Sequence, residues 1–154
     1  MLDLGSAEGL LARACLKCGA AKVVGLEVDR GRVAFASNLC REWANCHFEQ
    51  ADVTDVSHTR EILMRHGAYF DFVLYLGVHH HLPPGARVGV IDLAIEHVAR
   101  TLVLRMPERV YEAECVKERL LRSGFRESCE AKQDLEMHSA PDRGTLHIWQ
   151  RQSV

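Results

Sequence analysis

The chain has 154 residues, 47% of them hydrophobic and 26% charged, with a formal charge of −2. A single domain of that length buries a full core without disulfides or a structural metal, and the balance of apolar and charged residues excludes a disordered, collagen-like or coiled-coil chain. No apolar run reaches the roughly 18–20 residues of a membrane span, no signal peptide opens the chain, and the near-neutral charge disfavours broad electrostatic capture of nucleic acid.

Strands and helices alternate in chain order. Leu2–Leu4 reads as the end of a first strand, and Gly9 to about Cys18 as an amphipathic helix with Leu10, Leu11, Ala14, Cys15 and Cys18 on one side and Gly19 as its stop. Lys22–Val28 is a short buried strand. A helix opened by Asp29 and Arg30 runs to about Asn45. Phe48–Val53 is the third strand, and Thr54 or Ser57 caps a helix to about His66. Phe70–Leu76 is a near-continuous apolar run, as expected at the centre of a parallel sheet. After Pro83-Pro84-Gly85, Val88–Ala99 is helical, Thr101–Leu104 is a strand ending at Pro107, and Ala113–Ser123 is a helix stopped by Gly124. Phe125–Lys132 and Thr145–Gln150 read as two strands around a polar loop with Pro141, Asp142 and Gly144. The pattern predicts a three-layer, doubly wound, mostly parallel α/β sheet with a C-terminal antiparallel strand pair, in one domain spanning 1–154.

The six cysteines are spread along the chain, most of them inside apolar segments. They read as reduced, buried side chains of a cytoplasmic protein. Cys15-x-x-Cys18 has no second pair at zinc-finger spacing and falls late in its helix, whereas a redox pair needs the helix N-terminus to lower its thiol pKa.

Three segments carry chemistry. In Leu2-Asp3-Leu4-Gly5-Ser6-Ala7-Glu8-Gly9 a strand enters a glycine-containing turn that opens a helix, so backbone N–H groups and the positive helix end face an incoming ligand. The dinucleotide fingerprint needs glycines at positions one, three and six; Gly5, Ala7 and Leu10 occupy them, which argues against a nicotinamide oxidoreductase. Asp3 beside the turn repels a pyrophosphate and attracts an ammonium group, features that suit the methionyl part of S-adenosylmethionine. In Val24-Gly25-Leu26-Glu27-Val28-Asp29, Glu27 at the strand end is placed to accept both hydroxyls of a ribose, and Asp29 caps the next helix. In Gln50-Ala51-Asp52-Val53, Asp52 either caps a helix or accepts an adenine amino group.

With these segments in order, the chain resembles the class I, Rossmann-like, S-adenosylmethionine-dependent methyltransferases over nearly its whole length. LDLGSAEG is similar to their glycine-rich first motif, VVGLEVD to the second, QADVTD to the third, and FDFVLYLGVHHHL to the fourth strand and its exit. The resemblance implies S-adenosylmethionine as cofactor, with Asp3, Gly5, Ser6 and Gly9 lining the methionyl site. It implies Glu27 on the ribose, Val28 packed on the adenine, Asp52 and Val53 at the adenine edge, and Leu76 and Gly77 near the sulfonium. Family members carry further strand and helix before the first motif, often forming the substrate lid, so a domain without that lid is expected here.

Methyl transfer from a sulfonium is an in-line displacement on an activated donor, and a general base is needed only when the acceptor keeps its proton. His79-His80-His81 follows the fourth strand, where ligands meet a doubly wound sheet, and His80, then His79, is the candidate base; exposed loop histidines or a weak metal site are the competing readings, the metal disfavoured because adjacent histidines cannot easily turn to one ion. The fourth-strand exit lacks the Asn/Asp-Pro-Pro-aromatic motif of many base-amino methyltransferases and the Pro-Cys of cytosine-C5 enzymes. The acceptor is therefore open among small molecules, RNA and proteins, with nucleic acid not favoured by the charge. A non-catalytic methyltransferase-like module that binds a partner chain is the alternative function, and a homodimer is expected to cover apolar surface near the first motif.

Overall fold

The computed structural model describes residues 1–131 and 144–152. Its strands are β1 (Leu2–Leu4), β2 (Val23–Glu27), β3 (Cys46–Gln50), β4 (Phe70–Leu76), β5 (Val98–Met106), β6 (Phe125–Ala131) and β7 (Thr145–Arg151). Between them lie α1 (Leu10–Lys17), α2 (Arg30–Leu39), α3 (Val56–His66), α4 (Pro84–His97), α5 (Glu108–Ala113) and α6 (Val116–Arg122), with a 3-10 turn at His79–His81. The strands among the described residues make one sheet in the order β3-β2-β1-β4-β5-β7-β6. β1 to β5 run parallel, and β7 is antiparallel to both β5 and β6. This is the expected doubly wound α/β sheet with an antiparallel C-terminal pair.

Every residue of β1 and β2 is buried, as a parallel strand covered on both faces requires. The helices divide by what they bury. Ala12 and Leu16 of α1 and Cys40 after α2 form a small cluster with Val23 on one face of the sheet. Ile62 and Leu63 of α3, Val90, Ile91, Leu93 and Ala94 of α4, and Val116 and Leu120 of α6 join the main core with Leu2, Leu4, Tyr75 and Trp149 on the other. The strand order reverses between β1 and β4, and a crevice at the carboxyl ends of such strands is where doubly wound sheets take ligands.

Several boundaries differ from the sequence-based expectation. In α1 the buried pair is Ala12 and Leu16, whereas Leu10, Leu11 and Ala14 are exposed, because the helix rests on the sheet through the side that carries Gly9. α2 ends at Leu39, not Asn45; Cys40 caps it, and a further turn closes with Trp43 N donating to Cys40 O. β3 starts at Cys46, two residues early, because its register is set by pairing Val23–Glu27 with Cys46–Gln50, which leaves Ala51–Val53 beyond the sheet edge as a loop. The cap of α3 is Asp55, which accepts from His58 N, in place of Thr54 or Ser57. α4 begins at Pro84, where a proline's missing N–H is harmless, instead of Val88, and β5 follows it directly from Val98. The helix expected over Ala113–Ser123 is broken by Cys115, which sits in the left-handed region with φ 50. Of the six free cysteines only Cys40 is buried, since the others fall at helix ends and edge strands, against the expectation of burial. The expected loop around Pro141 and Asp142, and Lys132, lie outside the described residues.

Candidate functional site

The turn after β1 is tied to the end of β2. Gly5 N and Ser6 N both donate to Leu26 O at 2.9 Å. Gly5 has φ 79, and a Cβ there would lie 2.1 Å from Val78 Cγ2, so the loop after β4 rests directly on the turn's backbone. Gly9, with φ 74, is buried against Ala36 and Phe48, 2.8 Å from where its Cβ would be. It seats α1 on α2 and β3, and it lines neither of the two cavities described below.

Glu27, only 6% exposed, bridges the two turns: Oε2 accepts from Ala7 N and Oε1 from Asp29 N, each at 3.0 Å. Asp3 lies on the adjacent strand, 2% exposed, and its Oδ2 is buried with no hydrogen-bond partner. Burial first, and the Glu27 charge second, push the Asp3 carboxyl up to about 7. Two buried acids thus lie on adjacent strands, one of them with an unsatisfied oxygen.

Two cavities open at these strand ends. The larger, about 640 Å³, is bounded by Glu27, Val28, Asp52, Val53, Gly77 and His81. Val28 is 60% exposed there, an apolar side chain at the cavity wall. Asp52 Oδ1 accepts from Thr54 N at 2.9 Å and Thr54 Oγ1 at 2.7 Å, which orients its carboxylate within the loop after β3. The smaller cavity, about 310 Å³, is bounded by Asp3, Ser6, Glu8, Leu10, Leu11 and Arg105. Gly5, Ala7 and Leu76 line both, so the two meet over the first turn and the end of β4. The structure thus brings Asp3, Gly5, Ser6, Glu27, Val28, Asp52, Val53, Leu76 and Gly77 together around one crevice and leaves Gly9 behind it.

The histidines separate from one another. His79 is fully buried, its Nδ1 2.9 Å from Tyr75 Oη and its Nε2 2.7 Å from Glu114 Oε2. Burial raises the Tyr75 hydroxyl's pKa, so Tyr75 keeps its proton and donates to Nδ1, and Nε2–H donates to Glu114. Burial also lowers the His79 pKa, with Glu114 opposing it. Arg87 completes the network, giving Nη1 to Glu114 at 3.1 Å and Nε to Leu82 O at 3.0 Å. His80 is exposed, its ring 4.0 Å from that of His81, and only His81 of the three borders the larger cavity. Sequence reasoning did not single out His81, Arg105 or the Tyr75–His79–Glu114–Arg87 network; a tyrosine and a histidine four residues apart across a strand exit were the available signal. Among the described residues no group of three or more His, Cys, Asp or Glu side chains is arranged to hold a metal ion.

A doubly wound sheet with a crevice at its switch point defines the class of open α/β domains that take ligands at the carboxyl ends of their strands. The methyltransferase-domain family model matches residues 1–102, and the chain belongs to that family. Solved structures agree in fold. The magnesium protoporphyrin IX methyltransferase of Synechocystis PCC 6803 with bound SAM is 21% identical, with 98% of this chain and 69% of that one covered and a TM-score of 0.74. The N-methyltransferase NodS of Bradyrhizobium japonicum WM9 in complex with S-adenosyl-L-homocysteine is 16% identical, covering 99% and 77%, with a TM-score of 0.75. A TehB-like SAM-dependent methyltransferase of Corynebacterium glutamicum ATCC 13032 is 16% identical, covering 98% and 79%, with a TM-score of 0.69. No curated protein matches the sequence. Among the described residues no helix is long and apolar enough to cross a membrane.

Proposed function

We propose that the chain binds S-adenosylmethionine across the two cavities and acts as a methyltransferase. The observation that carries this reading is the buried, partnerless Oδ2 of Asp3 beside a second buried acid, Glu27, at the switch point. When bound, the cofactor supplies a methyl group already activated on a sulfonium. Asp3 accepts its ammonium group, Glu27 its ribose hydroxyls, and Asp52 its adenine amino group, while Val28 and Val53 pack against the ring. Gly5 and Gly77 line the crevice, their missing side chains making room for Val78 and Arg105, and Leu76 stands where the cavities meet.

Where an acceptor has to lose a proton, the imidazole on the cavity wall is His81, with the His80 ring tilted against it at 4.0 Å. His79, with both ring nitrogens engaged, positions the turn that carries them. A cytoplasmic setting is part of the proposal, since six free thiols fit a reducing compartment. A second copy covering Leu10 (66% exposed) and Leu11 (47%) is another part, and a purely monomeric light-scattering mass at high concentration would remove it.

Calorimetry with S-adenosylhomocysteine tests the central reading. Saturable binding is expected, weakened by about tenfold or more in Glu27→Ala, as loss of hydrogen bonds to a charged group requires. Absence of any heat of binding to the folded wild-type protein refutes it.

A further inference from the structure

The smaller cavity holds one acid and one base that do not meet. Arg105, the penultimate residue of β5, lies opposite Leu76, and its own carbonyl receives Gly77 N at 3.0 Å. Its guanidinium lies over Gly77, whose Cβ, if present, would be 2.7 Å from Nη2. Nε of Arg105 is buried without a hydrogen-bond partner, and no carboxylate among the described residues forms an ion pair with it. Asp3 faces the same 310 Å³ cavity with its own oxygen unpartnered, and its carboxyl is raised by burial and by Glu27, with Arg105 giving no relief. Among the described residues the other charged side chain on the cavity wall is Glu8, which pairs with Arg32 at 3.4 Å.

A half-buried guanidinium with a buried, unpartnered Nε and a buried carboxylate share a small cavity yet stay apart, which leaves two charges to be satisfied by one guest. A zwitterion does this: its ammonium answers Asp3 and its carboxylate answers the guanidinium, whose planar donors suit a carboxylate. The exposed Leu10 and Leu11 at the rim and Leu76 at the junction supply an apolar wall for the aliphatic chain of such a group.

Resting on the cofactor reading above, we infer that Arg105 is the anchor for the α-carboxylate of the bound cofactor, so that Asp3 and Arg105 together select an intact amino-acid end.

The test is calorimetry on wild type, Arg105→Ala and Arg105→Lys with three probes: S-adenosylhomocysteine, its decarboxylated analogue, and 5′-methylthioadenosine, which lacks the amino-acid end. Wild type is expected to bind S-adenosylhomocysteine about ten- to hundredfold more tightly than the decarboxylated analogue, the scale of one charge-assisted contact. Arg105→Ala should lose that advantage, Arg105→Lys should recover part of it, and both variants should bind 5′-methylthioadenosine as wild type does, which also shows that they are folded. The inference is overturned if Arg105→Ala binds S-adenosylhomocysteine as wild type does, leaving the arginine to an anionic acceptor. It is equally overturned if all three probes weaken together, since Arg105 would then only be packing over Gly77. Wild type that binds none of the three refutes the cofactor reading itself, an outcome distinct from either.

Discussion

Asp3 is the residue at which stability and binding pull against each other. Its carboxyl is 2% exposed, has an oxygen with no donor, and is shifted up to about 7 from an ordinary value near 3.8. Because the folded-state pKa lies above the unfolded one, the folded chain holds the proton more tightly. Asp3 is therefore best tolerated below pH 4, and its contribution turns unfavourable as pH rises toward and through 7. Asp3→Asn, which removes the charge, should raise the melting temperature at pH 8, with the gain shrinking to nothing near pH 4; thermal melts across that range measure it, and a gain independent of pH would refute the assignment. The same variant should bind S-adenosylhomocysteine more weakly. Conversely, ammonium binding should tighten as pH climbs from 6 to 8, since a positive guest needs the ionised carboxylate. Gly5→Ala should also destabilise, by about 1–2 kcal/mol from its left-handed backbone alone, and more because Val78 must move from a position 2.1 Å away; chemical denaturation would show the loss.

At the scale of elements, the 3-10 turn His79–His81 is held by groups from three other segments. Tyr75 reaches it from β4, Arg87 from the second turn of α4, and Glu114 from the end of α5. Arg87 also holds Leu82 O, so the network fixes the chain that carries His81 and Leu82 along the larger cavity. Glu114→Gln keeps an acceptor oxygen but removes the negative charge that opposes burial at His79. The variant should lose about 1–2 kcal/mol, as charge-assisted hydrogen bonds from His79 and Arg87 become neutral-acceptor ones. The His79 imidazole should titrate lower still, a shift that NMR can follow; an unchanged titration would show that Glu114 does not govern it.

For the molecule as a whole, the sheet order β3-β2-β1-β4-β5-β7-β6 places the ends of β1 to β5 around one crevice while the helices stay on the sheet's two faces. A ligand that occupies this crevice and not the unfolded chain must stabilise the fold. S-adenosylhomocysteine at a hundred times its dissociation constant should add about 2.7 kcal/mol, or about 5–10 °C in melting temperature for a chain of this size. Differential scanning calorimetry reads that shift, and its absence at saturating ligand would contradict the proposed cofactor.

Much of this was legible in the linear chain. Central parallel strands advertise themselves as apolar runs, which is why Phe70–Leu76 was bounded correctly, although Asp71 and Phe72 at its start are exposed. A turn such as Gly5–Gly9 shows itself through residues whose backbone needs are unusual. The acids Asp3, Glu27 and Asp52 were visible for a related reason: a charge within or just after an apolar strand stands out, and the structure puts all three on the cavity walls. What the sequence could not decide was anything set by a partner distant along the chain. The start of β3 depends on its register with β2, and the buried side of α1 depends on Gly9 meeting Ala36 and Phe48. Three consecutive histidines look equivalent on paper. Only the packing of α4 and α5 onto the exit of β4 buries His79, exposes His80 and turns His81 to the cavity, because hydrogen bonding to Tyr75 and Glu114 is a property of the assembled fold. Arg105 became informative for the same reason: an arginine near the end of a strand is unremarkable until tertiary structure sets it, with a buried Nε and no ion-pair partner among the described residues, on the wall of the cavity that holds Asp3.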